Sequence, residues 1–254
     1  MNYGICHLAV TPVRSEPQDE AEMTTQLLFG ECIKVLESHK QWRKVRSIFD
    51  NYIGWIDEKQ FKDLNENEFE TALKSVRYNS DLFLACKSNK RKLLIPLGSS
   101  LPSYKNGTFY LKDEIFEIQA LVNDFTLSKD KLLNIATNLL ETPYLWGGRN
   151  PMGIDCSGFS QIIYKCIGIS LHRDAKDQEL QGEEIANLNN AKSGDLAFFI
   201  NDKNKIHHVG LLHENKSIIH AAGKVRLDKI TEEGIFNVDK SIITHKLHSI
   251  KRFL

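Results

Sequence analysis

The chain has 254 residues, 41% of them hydrophobic, which is enough to bury one large core or two to three small ones. Its 33 Lys and Arg residues equal its 33 Asp and Glu residues, and this balance leaves no basic excess for binding the phosphates of nucleic acid. No stretch approaches the roughly 18 consecutive apolar residues of a membrane-spanning helix. We therefore expect a soluble globular protein that binds neither nucleic acid nor membrane.

The N-terminus and the cysteines favour the cytoplasm. Residues 1–10 lack the charged leader and apolar run of a secretory signal, so we expect an uncleaved chain that continues into turn-rich sequence at residues 11–17. The five cysteines are odd in number and have neither disulfide-framework nor zinc-site spacing, which favours a reducing compartment. We expect four of them to be buried apolar fillers.

Short β-type runs separated by turns dominate the first 60 residues and predict a small barrel. Gly30-Glu31 precedes one of these strands, Trp42 opens the next, and Gly54-Trp55-Ile56 closes the unit. This arrangement resembles a bacterial SH3-like domain over residues 1–60. Modules of this size are widely reused, so the resemblance by itself indicates a fold and no particular function.

Two further segments separate this barrel from the C-terminal half. Apolar residues between Phe61 and Val76 recur at a loose helical period and predict a connecting helix within residues 61–80. Residues 81–125 again alternate apolar runs with turns, and Asn106-Gly107 is a strong hairpin signal. A second, more divergent SH3-like barrel is the expectation for this segment.

Cys156 is the first candidate for chemistry. Apolar residues from Phe159 to Ile167 recur at helical spacing, so a helix is predicted to begin near Cys156, and Ser128 is predicted to cap an earlier helix. The N-terminal end of a helix favours an anion, which would bias the thiol toward its reactive thiolate and stabilise an oxyanion. Because a lone cysteine at a helix start is more often structural, its assignment depends on partners.

Those partners are two histidines on a predicted hairpin. Residues 196–200, 207–212 and 217–222 read as strands, the last two joined by a loop at residues 213–216. A hairpin that pairs residues with numbers summing to 428 would place His208 directly opposite His220, with both rings on one face. His208 is then a candidate general base, and His220 a group that orients it.

A metal site is the alternative for this region. His207, His208, His213 and His220 lie within fourteen positions, but their spacing matches no familiar zinc pattern, and adjacent strand residues point to opposite faces. No metal or other cofactor is therefore expected. His207 is interpreted as a solvated residue and His213 as a turn residue.

Three segments in order, Asp155-Cys156-Ser157-Gly158, His208-Val-Gly and His220-Ala-Ala-Gly, resemble the signature of NlpC-type cysteine peptidases. The resemblance covers residues 128–254. It implies an α+β fold in which a papain-like catalytic domain follows one or two small all-β SH3-like barrels. It also implies catalytic roles for Cys156, His208 and His220, and a place for Tyr144 beside the oxyanion site.

Members with SH3-like domains and no export signal resemble cytoplasmic enzymes of murein recycling. They imply cleavage of the γ-D-glutamyl to diamino-acid bond in murein peptides with a free N-terminal L-Ala, and no obligate protein partner. In the first barrel Glu16 and Glu20 compete with Glu22 for the implied amine-binding role. By position, the substrate-binding residues implied are Glu22, Tyr52, Asp155, Ser157, Asp174 and Ala175.

Two alternatives stay open. An amidase or acyltransferase on the same fold would use the same Cys156 and His208 chemistry but pass the acyl group to an acceptor other than water. A protein that binds wall fragments without cleaving them would retain the three residues unused. The sequence does not distinguish diaminopimelate from lysine in the substrate, nor does it indicate the oligomeric state.

Overall fold

The computed structural model describes residues 2–119, 122 and 126–254. The chain divides into two units, Met1–Phe125 and Thr126–Leu254. The second barrel expected over residues 81–125 includes residues 120, 121 and 123–125, which lie outside the described residues, so its outline as a whole stays a prediction.

Within the described part of the first unit, one sheet has the strand order β3-β2-β6-β5-β4-β1-β7. Its strands are β1 (Asn2–Cys6), β2 (Val10–Arg14), β3 (Met23–Leu28), β4 (Cys32–His39), β5 (Trp42–Ser47), β6 (Ile53–Asp57) and β7 (Phe61–Leu64). Alternate residues of these strands face a common interior, as the two-residue period of a strand requires. Val13, Ile33 and Val45 are among the apolar side chains buried there.

Two segments of this sheet differ from the sequence-based expectation. Residues 11–14, expected in a turn, belong to β2, where Thr11 and Val13 are buried. Residues 61–64, assigned to the connecting helix, form β7 and pair with β1. The helix is shorter because it begins only after Asn65, whose side chain accepts the Glu68 N–H while Glu68 caps the Asn65 N–H in return.

The remainder of the first unit contains one helix and two small sheets within the described residues. Sheet order β10-β9-β13-β12 and the pair β11-β8 are built from strands connected by tight turns, including Asn106-Gly107, where both residues have positive φ. The elements are α1 (Glu66–Leu73), β8 (Arg77–Tyr78), β9 (Phe83–Lys87), β10 (Lys92–Pro96), β11 (Ser100–Leu101), β12 (Thr108–Leu111) and β13 (Glu114–Glu117).

One core joins the two halves of the first unit. Phe29, from the turn after β3, is fully buried and packs edge-on against the stacked rings of Phe109 and Phe116, with ring centroids 5.8 and 5.5 Å away. Gly30 has φ +75°, and a Cβ there would lie 2.1 Å from the Ser100 carbonyl oxygen. Only glycine permits this approach. Gly30, which the sequence places just before a strand, therefore also sets the contact with β11, the strand that contains Ser100.

The second unit places helices beside an antiparallel sheet, with the order β16-β22-β17-β18-β19-β20-β21 among its described residues. Its helices are α2 (Lys129–Asn138), α3 (Cys156–Lys165) and α4 (Ala175–Gln178). Its strands are β14 (Arg149–Asn150), β15 (Gly153–Ile154), β16 (Glu183–Glu184), β17 (Leu196–Ile200), β18 (Ile206–His213), β19 (Ser217–Ala222), β20 (Lys224–Thr231), β21 (Gly234–Asn237) and β22 (Ile242–Arg252).

Helix α3 is the central element of this unit. All of its residues are buried, including the polar Ser160 and Gln161, and it packs against β18 and β19. Ser160 donates to the Gln178 side chain at 2.7 Å, and Gln161 donates to the Leu171 carbonyl at 3.1 Å, so the Ser160 hydroxyl and the Gln161 amide nitrogen have partners inside the fold. A fully packed helix gives its first residue a rigid position against the sheet.

Candidate active site

Cys156 is the first residue of α3, as the sequence predicted. Asp155 caps the helix, and its Oδ1 accepts the backbone N–H of Gly158 at 2.7 Å. The Cys156 residue is only 8% exposed, so the thiol lies in a recess rather than on an open surface. When a substrate reaches the thiol, protein groups therefore take the place of the water around the reacting carbonyl carbon.

Asp155 is held by several donors at once. Arg173 contacts both carboxylate oxygens, with Nη1 to Oδ1 at 3.0 Å and Nη2 to Oδ2 at 2.5 Å, and Gly147 donates its N–H to Oδ2 at 2.8 Å. Ser157 receives Arg173 Nη1 at 2.8 Å on its hydroxyl oxygen. The buried ion pair therefore joins the segment before α4 to the start of α3. It orients Asp155 and Ser157, the residues on either side of Cys156.

The Cys156 sulfur lies against β18. It receives hydrogen bonds from the backbone N–H groups of Val209, the residue after His208, and of Ser157. Burial, followed by the neighbouring Asp155 carboxylate, nevertheless raises the pKa of Cys156 to about 12. The expected bias toward a thiolate is therefore wrong for this structure, because desolvation of the anion outweighs the favourable helix end.

His208 and His220 lie together on the sheet, but in a different register from the one predicted. Gly210 is the residue opposite His220, and His213 pairs with Ser217, so the pairing differs by two residues from the predicted one that sets His208 opposite His220. A two-residue shift preserves the face on which a strand residue points. The two rings consequently still meet, with His208 Nε2 at 2.9 Å from His220 Nδ1.

His208 is neutral in this environment. Burial, and then the nearby rings of His245 and His220, lower the pKa of His208 well below its ordinary 6.5. His245 stacks on His208 with ring centroids 4.1 Å apart, and burial lowers the pKa of His245 to about 4. A neutral imidazole beside a neutral thiol can accept the thiol proton, which is the requirement for a general base.

Tyr144 belongs to the same recess. Burial, followed by the nearby Cys156 and Asp155, raises the pKa of Tyr144 to about 12, so its hydroxyl keeps its proton and can donate it in a hydrogen bond. Tyr144 also bridges to Ile154 and donates its backbone N–H to the Gly223 carbonyl at 3.0 Å. The oxyanion role implied by the resemblance stays a prediction.

Two residues next to the histidines had not been identified from the sequence. Asp228 accepts His220 Nε2 at 3.1 Å, and His245 forms the stack described above. A signal for Asp228 does exist in the sequence: β20 is the strand after the one that contains His220, Arg226 lies opposite His220, and Asp228 is two residues further along on the same strand face. His245 lies 25 residues after His220 and carries no comparable signal.

The substrate-binding candidates are divided between the two units. Asp174 is the half-buried N-cap of α4, makes no side-chain cap hydrogen bond, and has a raised pKa because of burial, while Ala175 is the buried first residue of that helix. Glu22 and Tyr52 belong to the first unit, where they immediately precede β3 and β6. Since both strands run antiparallel to β2, which lies between them, Glu22 and Tyr52 lie at the same end of that sheet.

Two features, a metal-binding cluster and a membrane-spanning helix, are absent from the described residues. Among those residues, no group of three or more His, Cys, Asp or Glu side chains is placed to hold a metal ion. In the same part of the chain, no helix is both long enough and apolar enough to cross a membrane.

The pH dependence of activity tests the protonation states of Cys156 and His208. With a thiol pKa near 12 and an imidazole pKa below 6.5, both groups are neutral at neutral pH, and protonation of His208 removes the base only in acid. We expect kcat/KM to stay level from pH 7.5 down through 6.5 and to fall only below that value. Initial rates of tripeptide hydrolysis, measured from pH 7.5 to below pH 6.5, check this expectation. An acid limb centred at or above 6.5 would contradict it.

Comparison with known proteins agrees with these features. A sequence model described as the NlpC/P60 family matches residues 141–247, which contain Cys156, His208 and His220. A second, described as a bacterial dipeptidyl-peptidase Sh3 domain, matches residues 13–61 in the first sheet. The expected fold, a catalytic domain of this family behind an all-β SH3-like domain, is confirmed.

The curated relatives include two named gamma-D-glutamyl-L-lysine dipeptidyl-peptidase. The one from Bacillus cereus is 30% identical, covering 79% of this chain and 67% of its own length, and the one from Bacillus subtilis is 30% identical, covering 78% and 71%. A protein named dipeptidyl-peptidase 6 from Lysinibacillus sphaericus is 25% identical over 86% of this chain and 88% of its own length.

Among solved structures, the crystal structure of an NlpC/P60 family protein from Bacillus cereus has a TM-score of 0.83 at 21% identity and covers 99% of both chains. An NlpC/P60 endopeptidase from Photobacterium damselae has a TM-score of 0.66 at 16% identity, with 97% of this chain and 70% of that chain covered. These two likenesses concern the fold. Together with the sequence matches, they lead to one conclusion: the chain belongs to the NlpC/P60 family and is a cysteine peptidase.

Proposed function

We propose that this peptidase hydrolyses the γ-D-glutamyl to diamino-acid bond of murein peptides whose N-terminal L-Ala is free. The observation that carries the proposal is the contact between the Cys156 sulfur and the Val209 N–H, directly beside the buried His208–His220 pair. The names of the Bacillus relatives, which specify a γ-D-glutamyl-L-lysine dipeptidyl-peptidase, support the same bond.

The proposed reaction uses these residues in sequence. His208 takes the thiol proton as Cys156 attacks the γ-glutamyl carbonyl, and N–H groups at the start of α3 together with Tyr144 stabilise the oxyanion. The protonated His208 then donates its proton to the leaving amine, which leaves a thioester. A water molecule, deprotonated by His208, hydrolyses the thioester and restores the thiol.

Recognition of the free amine is proposed to involve Asp174. Asp155 is already engaged by Arg173 and by backbone N–H groups, which suits it to orienting the recess, whereas Asp174 has no cap hydrogen bond and is partly desolvated. A partly buried carboxylate gains by pairing with a substrate ammonium group and gains nothing from an acylated nitrogen. Ser157 is the candidate for the D-Glu carboxylate, and Glu22 and Tyr52 are the first-unit candidates for the ammonium group.

A role in recycling follows from this specificity, since a requirement for a free L-Ala selects released peptides over intact wall. We propose a cytoplasmic location for that role. All five cysteines lie among the described residues as thiols rather than disulfides, which suits a reducing compartment.

The test compares L-Ala-γ-D-Glu-diamino acid tripeptide with its N-acetylated form. We expect the free peptide to be cleaved at least about 10²-fold faster, because the acetylated peptide leaves a desolvated carboxylate without its cation. Asp174→Asn should reduce this preference. Asp177→Asn, one turn further along α4, is the matched control and should keep it. Equal rates for the two peptides would remove the amine-pocket proposal.

Mass spectrometry of the products separates the alternatives. Hydrolysis releases L-Ala-D-Glu and the free diamino acid. An acyl group transferred to an added amine, with no free dipeptide, would identify an acyltransferase. Tight binding with unchanged peptide after prolonged incubation would identify a binding protein.

A further inference from the structure

Asp228 is an acidic side chain buried behind the two histidines. Its carboxylate is completely shielded from solvent, and its oxygens accept hydrogen bonds from four donors. Oδ2 accepts His220 Nε2 at 3.1 Å and Arg226 Nε at 2.7 Å, while Oδ1 accepts Arg226 Nη2 and the Val238 N–H, both at 3.0 Å. Burial raises the pKa of Asp228, but these hydrogen bonds outweigh it and lower the pKa to about 2, so the group is ionised.

An ionised carboxylate is only an acceptor, and this determines where the histidine protons lie. His220 must place its proton on Nε2 in order to bond to Asp228. Its Nδ1 then carries a lone pair and accepts the proton on His208 Nε2, 2.9 Å away. His208 is left with its lone pair on Nδ1, the nitrogen that is not bonded to His220. Each assignment follows from the preceding hydrogen bond.

We propose that Asp228 is a positioning residue that sets the tautomers of both histidines and thereby keeps His208 Nδ1 free to take the Cys156 proton. The inference rests on the proposed hydrolytic function and adds a fourth group to its Cys-His-His set. Without the carboxylate, His220 can place its proton on Nδ1 instead. His208 Nε2 would then accept, its proton would move to Nδ1, and the base facing the thiol would be lost.

The Arg226 side chain makes this arrangement rigid. It donates to both oxygens of Asp228 and, at 2.7 Å, to Asp239, whose side chain is 70% exposed. A second carboxylate therefore binds the same guanidinium from the solvent side without touching either histidine. Asp228 and Asp239 therefore offer a matched comparison between a carboxylate that bonds to His220 and Arg226 and one that bonds to Arg226 from the solvent side.

The Asp228→Asn variant tests the proposal. All four groups around Asp228 are donors, so an amide NH2 meets a donor in either orientation, and the orientation that faces His220 favours its Nδ1–H tautomer. We expect kcat to fall by about 10²–10⁴-fold with little change in KM, as expected for a base held in the wrong tautomer. Asp239→Asn should keep the wild-type kcat and KM.

A measurement on the unaltered protein covers the case in which Asp228→Asn does not fold. Two-bond ¹H–¹⁵N spectra of protein labelled with ¹⁵N-histidine report which ring nitrogen is protonated, and single-histidine variants assign the signals. We expect His208 and His220 both to be protonated on Nε2. An Nδ1–H tautomer of His220 would overturn the inference, as would a folded Asp228→Asn variant with the kcat of Asp239→Asn. If the unaltered protein shows the expected tautomers yet cleaves no peptide, the proposed function fails and the positioning role stands.

Discussion

Cys156→Ala is expected to abolish peptide hydrolysis, with kcat reduced by at least about 10⁴-fold. The sulfur receives the Val209 and Ser157 N–H groups, and its removal leaves His208 with no nucleophile to deprotonate. Because alanine is a good helix former and the side chain is small, α3 should still begin at this position. Release of dipeptide from the free tripeptide, followed by mass spectrometry, measures the loss.

Cys166→Ala provides the control at the opposite end of the same helix. Cys166 is the C-cap of α3 and is 1% exposed. The substitution therefore makes the same chemical change, the loss of a buried cysteine sulfur, at a different position. We expect a modest loss of stability and full activity, with unfolding in urea and kcat measured on the same sample. Substantial hydrolysis by Cys156→Ala, or loss of activity only in Cys166→Ala, would contradict the assignment of the nucleophile.

His208→Gln is the second substitution with a large expected effect. Glutamine can donate and accept hydrogen bonds beside His220, yet it cannot take up a proton, so the thiol with its raised pKa stays protonated. We expect kcat to fall by about 10²–10⁴-fold, the usual contribution of general acid–base catalysis. Rates with saturating tripeptide and thermal unfolding of the variant distinguish lost chemistry from lost structure.

His207→Gln is the matched control because it makes the same change in the adjacent residue. His207 is exposed, and a register shift in β18 places its ring against His245, with ring centroids 5.7 Å apart. The His208 ring, in contrast, is buried against His220. Its variant should hydrolyse the tripeptide at close to the wild-type rate. Equal losses in the two variants would show that the effect comes from disturbing β18 rather than from removing the base.

The neutral resting state of Cys156 and His208 is the reason that we expect both residues to be needed for hydrolysis. In a recess where burial raises the thiol pKa and lowers the imidazole pKa, neither group is activated alone. Proton transfer from one to the other creates the charged pair only as the sulfur attacks. The Val209 and Ser157 N–H groups then stabilise the anion that the buried site disfavours at rest.

The local sequence determined where many helices and strands of this protein lie and which family it resembles. The apolar period after Phe159 and the capping potential of Ser128 correctly located the starts of α3 and α2, since these signals act between neighbouring residues. The strands around His208 and His220 were also identifiable from their composition. The family signature needed no coordinates, because its residues and their order are linear features.

Only the tertiary structure decided the remaining features, because they depend on partners distant in the chain. Three of these features each join separate segments of the chain. They are the pairing of β18 with β19, which lies two residues from the predicted register, the ion pair of Arg173 with Asp155, and the stack of His245 on His208. The protonation of Cys156 depends on how completely the fold removes water from its sulfur. Desolvation is a property of all surrounding atoms together, so no local pattern of residues reports it.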